Sequence, residues 1–285
     1  MALTFNRIQG LHTPVWRING IIDDFLRGSL LHDIKNSNQS NFNLAKNGNK
    51  LSIDARSTVG VEIFKKPACQ EIARRLLDCE MLGLLSELII ESGSSFKQFF
   101  LASTTCFKPL ILNRFCKPGS SDYRSQLNGW GANLYELNNR FKPLYVADMY
   151  AKGFNCVPFF PRMQFSLMTP GSYIPPHTDV SNKIATLMIY LPDSHQSLSM
   201  LGTTFWNPKN RDECYKQAES KFLENQNYSK FKNHYQPIRT QFQGNSAVLF
   251  FRSDDSWHSF EHDIEGQSDR YSININFYYP VGTET

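Results

Sequence analysis

From Arg162 onward the chain is written in short runs in which polar and apolar residues alternate, and this alternation restricts the fold more than any other feature. Arg162 to Leu167 sets Arg, Gln and Ser against Met, Phe and Leu, while Ile184 to Leu191 sets Thr186, Met188 and Tyr190 against Ala185, Leu187 and Ile189. In Arg270 to Phe277 the residues Arg270, Ser272, Asn274 and Asn276 alternate with Tyr271, Ile273, Ile275 and Phe277. A period of two belongs to strands, whose successive side chains point to opposite faces. Gly202 to Trp206 and Ala247 to Phe251 are further short strand-like runs, and Thr169-Pro170-Gly171 is a turn. Such a series predicts a mainly β fold with some helix: a sandwich, barrel or jelly roll.

Upstream the pattern differs. Pro14 to Ile18 predicts one strand, and Ile21 to Ile34 a helix with Leu26, Leu30 and Leu31 on one side. Asn36 to Asn49 is rich in Asn, Ser, Lys and Gly, which is loop chemistry. Pro67 suits the first position of a helix, whose apolar residues Ile72, Leu76, Leu77, Leu84, Leu85 and Leu88 lead to a stop at Ser92-Gly93. Phe107 to Asn139, around Trp130, reads as a long loop near a site. Arg211 to Tyr235, rich in Lys, Glu and Gln, reads as a helical insertion between strands. The expected organisation is a single domain over residues 1–285. Residues 1–160 form a helical support region, and 161–282 a jelly-roll (cupin-like) core with its insertion at about 208–238.

The 285 residues, 41% of them hydrophobic, are ample for a real core. The net charge of +4 is spread along the chain, without the basic stripe of a nucleic-acid binder. No apolar run reaches the roughly 18 residues of a membrane span, and Met1 to Gly10 lacks the apolar centre of a signal peptide. Cys69, Cys79, Cys106, Cys116, Cys156 and Cys214 are scattered with no C-x-x-C pair, which predicts thiols in a reducing, cytoplasmic setting.

The chemistry gathers in the strand-rich part. His177 and Asp179 follow Pro175-Pro176, whose fixed φ values stiffen the approach to them. A second imidazole, His258, comes after a polar turn at Ser253 to Ser256. Two imidazoles and one carboxylate suit a non-haem Fe(II) centre with open positions, so these three are the predicted metal and catalytic residues. Arg270 and Ser272 share one face of the last strand; a guanidinium fork binds a carboxylate bidentately, and Tyr190 is a candidate phenolic donor to the same group. The bland alternative for that strand is a half-solvated sheet with its polar face in water. His258 and His262 are spaced for zinc on a helix, but the accompanying Glu is missing and the segment reads as a turn. Neither a phosphate-cradling glycine loop nor a G-x-S-x-G element is present.

In their order, His177-x-Asp179, His258 and Arg270-x-Ser272 resemble the Fe(II)/2-oxoglutarate-dependent dioxygenase superfamily, in particular its prolyl-4-hydroxylase-like branch. Ile184 to Leu191 followed by Gly202 to Phe205 looks like the strands after the His-x-Asp element in that branch. The resemblance covers about Arg162 to Tyr279. It implies a double-stranded β-helix with helices packed on one sheet, Fe(II) at His177, Asp179 and His258, and the distal carboxylate of 2-oxoglutarate at Arg270, Ser272 and Tyr190. Gln164 is a candidate further cosubstrate contact, O2 the second cosubstrate and ascorbate a candidate accessory reductant. The implied reaction hydroxylates an unactivated C–H of a peptidyl or small-molecule substrate and releases succinate and CO2. Asp179 fills a position that is a small residue in the related halogenases, which disfavours halogenation. Many relatives carry Tyr three residues before the first ligand; here Ile174 stands there. The rival from another class is a cupin-like metal- or sugar-binding protein without turnover, which has no need of Arg270-x-Ser272 beside the three ligands. Substrate recognition is expected around Trp130, the Arg211 to Tyr235 insertion and Phe159-Phe160.

Overall fold

The computed structural model describes residues 3–37, 42–44, 50–54, 57–76, 160–180, 183–193, 201–210, 225–253, 255–261 and 268–278. The chain divides into two compact units, Met1–Ile53 with Gln164–Ile275, and Asp54–Met163 with Asn276–Thr285. Twelve strands and four helices lie among the described residues. The strands are β1 (Thr4–Arg7), β2 (Val15–Asn19), β3 (Asn43–Leu44), β4 (Leu51–Asp54), β5 (Phe160–Met168), β6 (Tyr173–His177), β7 (Lys183–Leu191), β8 (Thr204–Pro208), β9 (Tyr235–Arg239), β10 (Ser246–Phe251), β11 (His258–Glu261) and β12 (Arg270–Tyr278). The helices are α1 (Asp24–Asn36), α2 (Thr58–Phe64), α3 (Pro67–Leu76) and α4 (Asn225–His234).

The strands form an eight-stranded sheet, ordered β1-β2-β10-β7-β12-β5-β4-β3, and a four-stranded sheet, ordered β6-β11-β8-β9. From β5 to β7 the chain alternates between the sheets; β8 and β9 are neighbours in the smaller one, and β10, β11 and β12 alternate again. The pairings whose register is described are antiparallel, so the fold is β-rich with few helices, as predicted. Leu201, Phe205, Phe260, Tyr190, Phe242, Val248 and Phe250 are 3% exposed or less and form one buried cluster, built from strands of both sheets. The strand predicted at Pro14 to Ile18 is β2, which pairs with β10 and so extends the large sheet.

Prolines well inside a strand lie at the two edges of the small sheet, in β6 with Pro175-Pro176 and β9 with Pro237, while Pro161 and Pro208 sit at the ends of the interior strands β5 and β8. An edge is where a missing backbone donor is tolerated. The turn into β6 has Ser172 N–H donating to Thr169 O at 2.9 Å, with Pro170 and Gly171 between. Gly171 takes φ +80°, the left-handed value that favours glycine at the third position of such a turn.

Helix α1 starts on Asp23, whose carboxylate accepts from Leu26 N–H at 2.8 Å. Its buried face carries Leu26, Leu30, Leu31 and Ile34, the predicted stripe plus one turn. The insertion differs from its sequence reading. Residues 211–224 lie outside the described residues, α4 covers only Asn225–His234, and Tyr235 opens a strand that pairs with β8. Nor is α4 a solvated excursion, because Phe231 is 1% exposed, stacks on Tyr235 at 4.1 Å and meets Trp257 at 5.1 Å.

In the second unit, α2 is capped by Ser57 Oγ, which accepts from Gly60 N–H at 3.1 Å. Helix α3 has Pro67 at its first position and buries Ile72. The predicted continuation to Leu88, the Phe107 to Asn139 loop with Trp130, and His262 lie outside the described residues. No helix among the described residues is long and apolar enough to cross a membrane.

Candidate metal centre

His177 ends β6 and His258 begins β11, and the register of these antiparallel neighbours sets the two histidines opposite each other. Their ring centroids are 4.3 Å apart. Asp179 lies just past β6 and is 9% exposed. One ligand atom from each of the three residues lies within 4.8 Å of the others, a spacing a single ion can bridge. The structure thus brings His258, distant in sequence, to the neighbouring pair His177 and Asp179.

Each imidazole is oriented by the chain two residues upstream. His177 Nδ1–H donates to Pro175 O at 2.9 Å, and His258 Nδ1–H donates to Ser256 O at 3.0 Å. A proton held on Nδ1 leaves the lone pair on Nε2, the tautomer a metal ligand needs. The turn that presents His258 is itself tied, with Ser253 N–H donating to Ser256 Oγ at 2.9 Å. Phe250 lies at 4.6 Å from the His258 ring and Phe205 at 6.3 Å, walls that keep this side apolar.

The two oxygens of Asp179 have different surroundings. Oδ1 accepts from Lys183 Nζ at 2.8 Å, while Oδ2 accepts from Thr186 Oγ1 at 3.3 Å and lies 3.9 Å from His258 Nε2. Burial raises the carboxyl pKa, but Lys183, His258 and His177 outweigh it, so Asp179 stays ionised well below the usual carboxylate range. For His177 burial dominates and the neighbouring His258 adds to it, lowering its pKa to about 3. Burial likewise lowers His258. Two neutral imidazoles beside one carboxylate form a donor set that fits a divalent ion of borderline hardness.

Arg270, at the start of β12, is 3% exposed. Its Nε–H donates to Leu201 O at 2.7 Å, and its Nη2–H reaches Met188 Sδ at 3.0 Å and Thr203 Oγ1 at 3.4 Å. Phe260 lies 4.3 Å from the guanidinium carbon, Tyr190 5.3 Å and Phe242 5.7 Å. Among the described residues no carboxylate pairs with it. The polar face of β12 is not in water: Ser272 is fully buried and Asn274 is 7% exposed. Ser272 Oγ–H donates to Asn274 Oδ1 at 3.4 Å, and Asn274 Nδ2–H to Ser166 Oγ at 3.1 Å, a polar track from β12 to β5.

Tyr190 and Gln164 sit where the sequence put them, on β7 and β5, but with protein partners. The Tyr190 hydroxyl donates to Thr203 Oγ1 at 3.0 Å, lies 2.9 Å from Thr240 Oγ1 and accepts from Thr203 N–H at 3.2 Å. Its ring lies 5.3 Å from the Arg270 guanidinium carbon, and its hydroxyl also bears on the Arg270 charge. Gln164 Oε1 accepts from Lys50 Nζ at 2.9 Å, and its Nε2–H donates to Ser52 Oγ at 3.2 Å. Sequence reasoning passed over Lys183 and Lys50. Lys183 had a legible signal, a cation opening an apolar strand four residues after Asp179; Lys50 had none, being the end of a loop-like polar stretch.

No protein-family model matches the chain, and no curated protein does. It is similar to the solved structure of a Pseudomonas putida prolyl-4-hydroxylase, at 10% identity and a TM-score of 0.46 over 94% of this chain and 93% of that one. It is similar to HygX from Streptomyces hygroscopicus with nickel, 2-oxoglutarate and hygromycin B bound, at 10% identity and 0.47 over 95% and 84%. A prolyl hydroxylase from Trichoplax adhaerens, in complex with a hypoxia inducible factor peptide fragment, is similar at 10% identity and 0.44 over 93% and 78%. Likenesses this distant do not carry function, which has to stand on the residues themselves.

Proposed function

We propose that the chain is an Fe(II)- and 2-oxoglutarate-dependent dioxygenase, acting as a hydroxylase on a peptidyl or small-molecule substrate. The observation that carries this reading is Arg270. A guanidinium 3% exposed, with no carboxylate among the described residues to pair with it, is costly unless a ligand supplies the anion. Arg270 Nη2–H reaches Met188 Sδ, and Thr186, on the same face of β7, donates to Asp179 Oδ2, so the guanidinium and the three-donor cluster share one face of that strand. A metal-binding cluster and an anion receptor side by side match a cosubstrate that chelates the ion at one end and carries a carboxylate at the other.

The alternation of strands between the two sheets from β5 to β12 supports a double-stranded β-helix, the jelly-roll arrangement of eight strands. On this reading the fold is one catalytic domain, with β1 and β2 lengthening the large sheet. Its cytoplasmic placement rests on the scattered cysteines alone.

His177, Asp179 and His258 would hold Fe(II). When bound, the iron with 2-oxoglutarate and O2 supplies the oxidising power for C–H hydroxylation, with succinate and CO2 as the other products. The protein supplies orientation. The carbonyls of Pro175 and Ser256 fix both imidazole planes, and Lys183 holds Oδ1 so that Oδ2 is the donor oxygen. Three protein donors leave open positions for the cosubstrates. Arg270 holds the distal carboxylate, with Leu201 O and the Tyr190 ring setting the guanidinium plane. Ser272 and the polar track behind it face the same ligand. Phe205 and Phe250 keep water from the His258 side.

Incubating the Fe(II)-loaded protein with 2-oxoglutarate, ascorbate and air tests this. Slow succinate release, lost in His258→Ala, is expected even without the prime substrate. Absence of both succinate and 2-oxoglutarate binding would overturn the assignment.

A further inference from the structure

Among the described residues, the cations around the cluster, Lys183, Arg270 and Lys50, outnumber the one carboxylate that faces them, Asp179. Lys183 is committed to Asp179 at 2.8 Å, leaving that carboxylate already neutralised. Arg270 has no carboxylate among the described residues, and 2-oxoglutarate bound through it would supply one. That leaves Lys50.

Lys50 precedes β4, which neighbours β5 in the large sheet. Its ammonium is placed rather than loose: Nζ donates to Gln164 Oε1 at 2.9 Å, and Gln164 is pinned at its other end to Ser52 Oγ at 3.2 Å. A neutral amide uses one of the three N–H bonds of an ammonium and none of its charge. Burial, then Lys183 and Arg270, press the Lys50 pKa down to about 7, with Asp179 opposing. Gln164 shares a face of β5 with Ser166, whose Oγ accepts from Asn274 on the face of β12 that begins at Arg270, so the ammonium lies on the same side of the sheet as the guanidinium. Like charges gathered on one face are relieved by an anion.

We propose that Lys50, positioned by Gln164, is a second carboxylate-binding cation of the site, taking the carboxylate that Arg270 does not. This rests on the reading of the site given above. The carboxylate has two possible sources, the metal-proximal end of 2-oxoglutarate or an acidic group on the prime substrate. Gln164 then acts as a positioning residue through Lys50 rather than by touching the cosubstrate.

The test uses the full chain loaded with Zn(II) and labelled with 13Cε-lysine, the Lys50 resonance being assigned by its absence in Lys50→Met. If 2-oxoglutarate moves that resonance, and Lys50→Met weakens its binding by about tenfold or more while Lys50→Arg restores it, the cosubstrate is the source. If 2-oxoglutarate leaves Lys50 unmoved but sodium acetate added at saturating 2-oxoglutarate moves it, the carboxylate comes from an acidic substrate. Both results support the proposal, and in either case Gln164→Leu should blunt the shift. A Lys50 resonance that responds to neither probe, while 2-oxoglutarate binds and Arg270→Met abolishes that binding, overturns the proposal and leaves the functional reading intact. Loss of 2-oxoglutarate binding from the unmodified chain, with acetate still moving Lys50, would sink the functional reading and keep the anion site.

Discussion

His177 and His258 face each other across β6 and β11 with ring centroids 4.3 Å apart, each with its Nδ1 proton held by the carbonyl two residues before it. Such symmetry of support makes both imidazoles ready donors before any ion arrives. Removing either one deletes a ligand and leaves a strand-end position that tolerates Ala. His177→Ala and His258→Ala should therefore each lower Mn(II) affinity beyond the roughly 10–100-fold typical of losing an outer-shell partner. Calorimetric titration reads this directly, with circular dichroism confirming an unchanged β signal.

Lys183 should matter most when the metal is absent. Its pair with Asp179 is buried, with side chains 9% and 12% exposed, so Lys183→Met strands a carboxylate inside the protein. The metal-free variant should lose about 3–5 kcal/mol of stability. With Mn(II) bound the ion neutralises Asp179, and the loss should shrink. Urea unfolding with and without metal separates the two cases.

Arg270→Met should give the opposite signature. The change removes a buried charge that no described carboxylate matches, so the ligand-free protein should be no less stable, within about 1 kcal/mol. Its 2-oxoglutarate affinity should drop by about 2–3 kcal/mol, the scale of a charge-assisted hydrogen bond lost with its partner left unpaired. Thermal melts and ligand titration on the same sample check both halves.

The strand pattern was legible because period-two alternation and short apolar runs are local properties: β5, β7 and β12 lie within a residue or two of where the alternation puts them, and β10 where its apolar run does. Strand β9 was not, since Pro237 breaks the strand grammar and only its edge position, invisible in one dimension, makes it tolerable. The three clustered donors could be named from residue type and order, but their spacing depends on the β6–β11 register. Face assignment on β12 was legible, whereas its burial on both faces was not. Tyr190 shows the limit from the other side: sequence offers its hydroxyl as a donor, and only the fold reveals Thr203 and Thr240 already around it. Lys50 meets Gln164 because β4 and β5 are neighbours in the large sheet, a long-range fact with no local signal.

Gly202 ties the backbone to the surroundings of Arg270 and Tyr190. A Cβ there would lie 1.5 Å from Thr240 O, a backbone atom that cannot swing aside. Its neighbour Leu201 supplies the carbonyl that accepts from Arg270 Nε, and Thr203 holds Tyr190. Gly202→Ala should cost about 1–3 kcal/mol of stability, as overpacking does. It should also weaken 2-oxoglutarate binding, although it touches no ligand. Parallel unfolding and binding measurements test the coupling.

Metal-free stability should fall in acid. His177 titrates near 3 in the folded state because of burial and His258, against 6.5 in the unfolded chain, so between these values the unfolded state binds more protons. Asp179 adds the same sign, since its folded pKa is depressed and its stabilisation is lost as pH falls through that value. Lys50, lowered from 10.5 to about 7, makes stability climb again between those two values. Urea midpoints should rise from pH 3 to 6.5 and again above 7, the second rise being absent in Lys50→Met.

The most direct measurement is anaerobic. Fe(II) and 2-oxoglutarate added together should produce a weak visible charge-transfer band that neither gives alone. That band should vanish in His177→Ala and need more 2-oxoglutarate to saturate in Arg270→Met. A protein that binds Fe(II) at His177, Asp179 and His258 but never develops the band with 2-oxoglutarate would contradict the account.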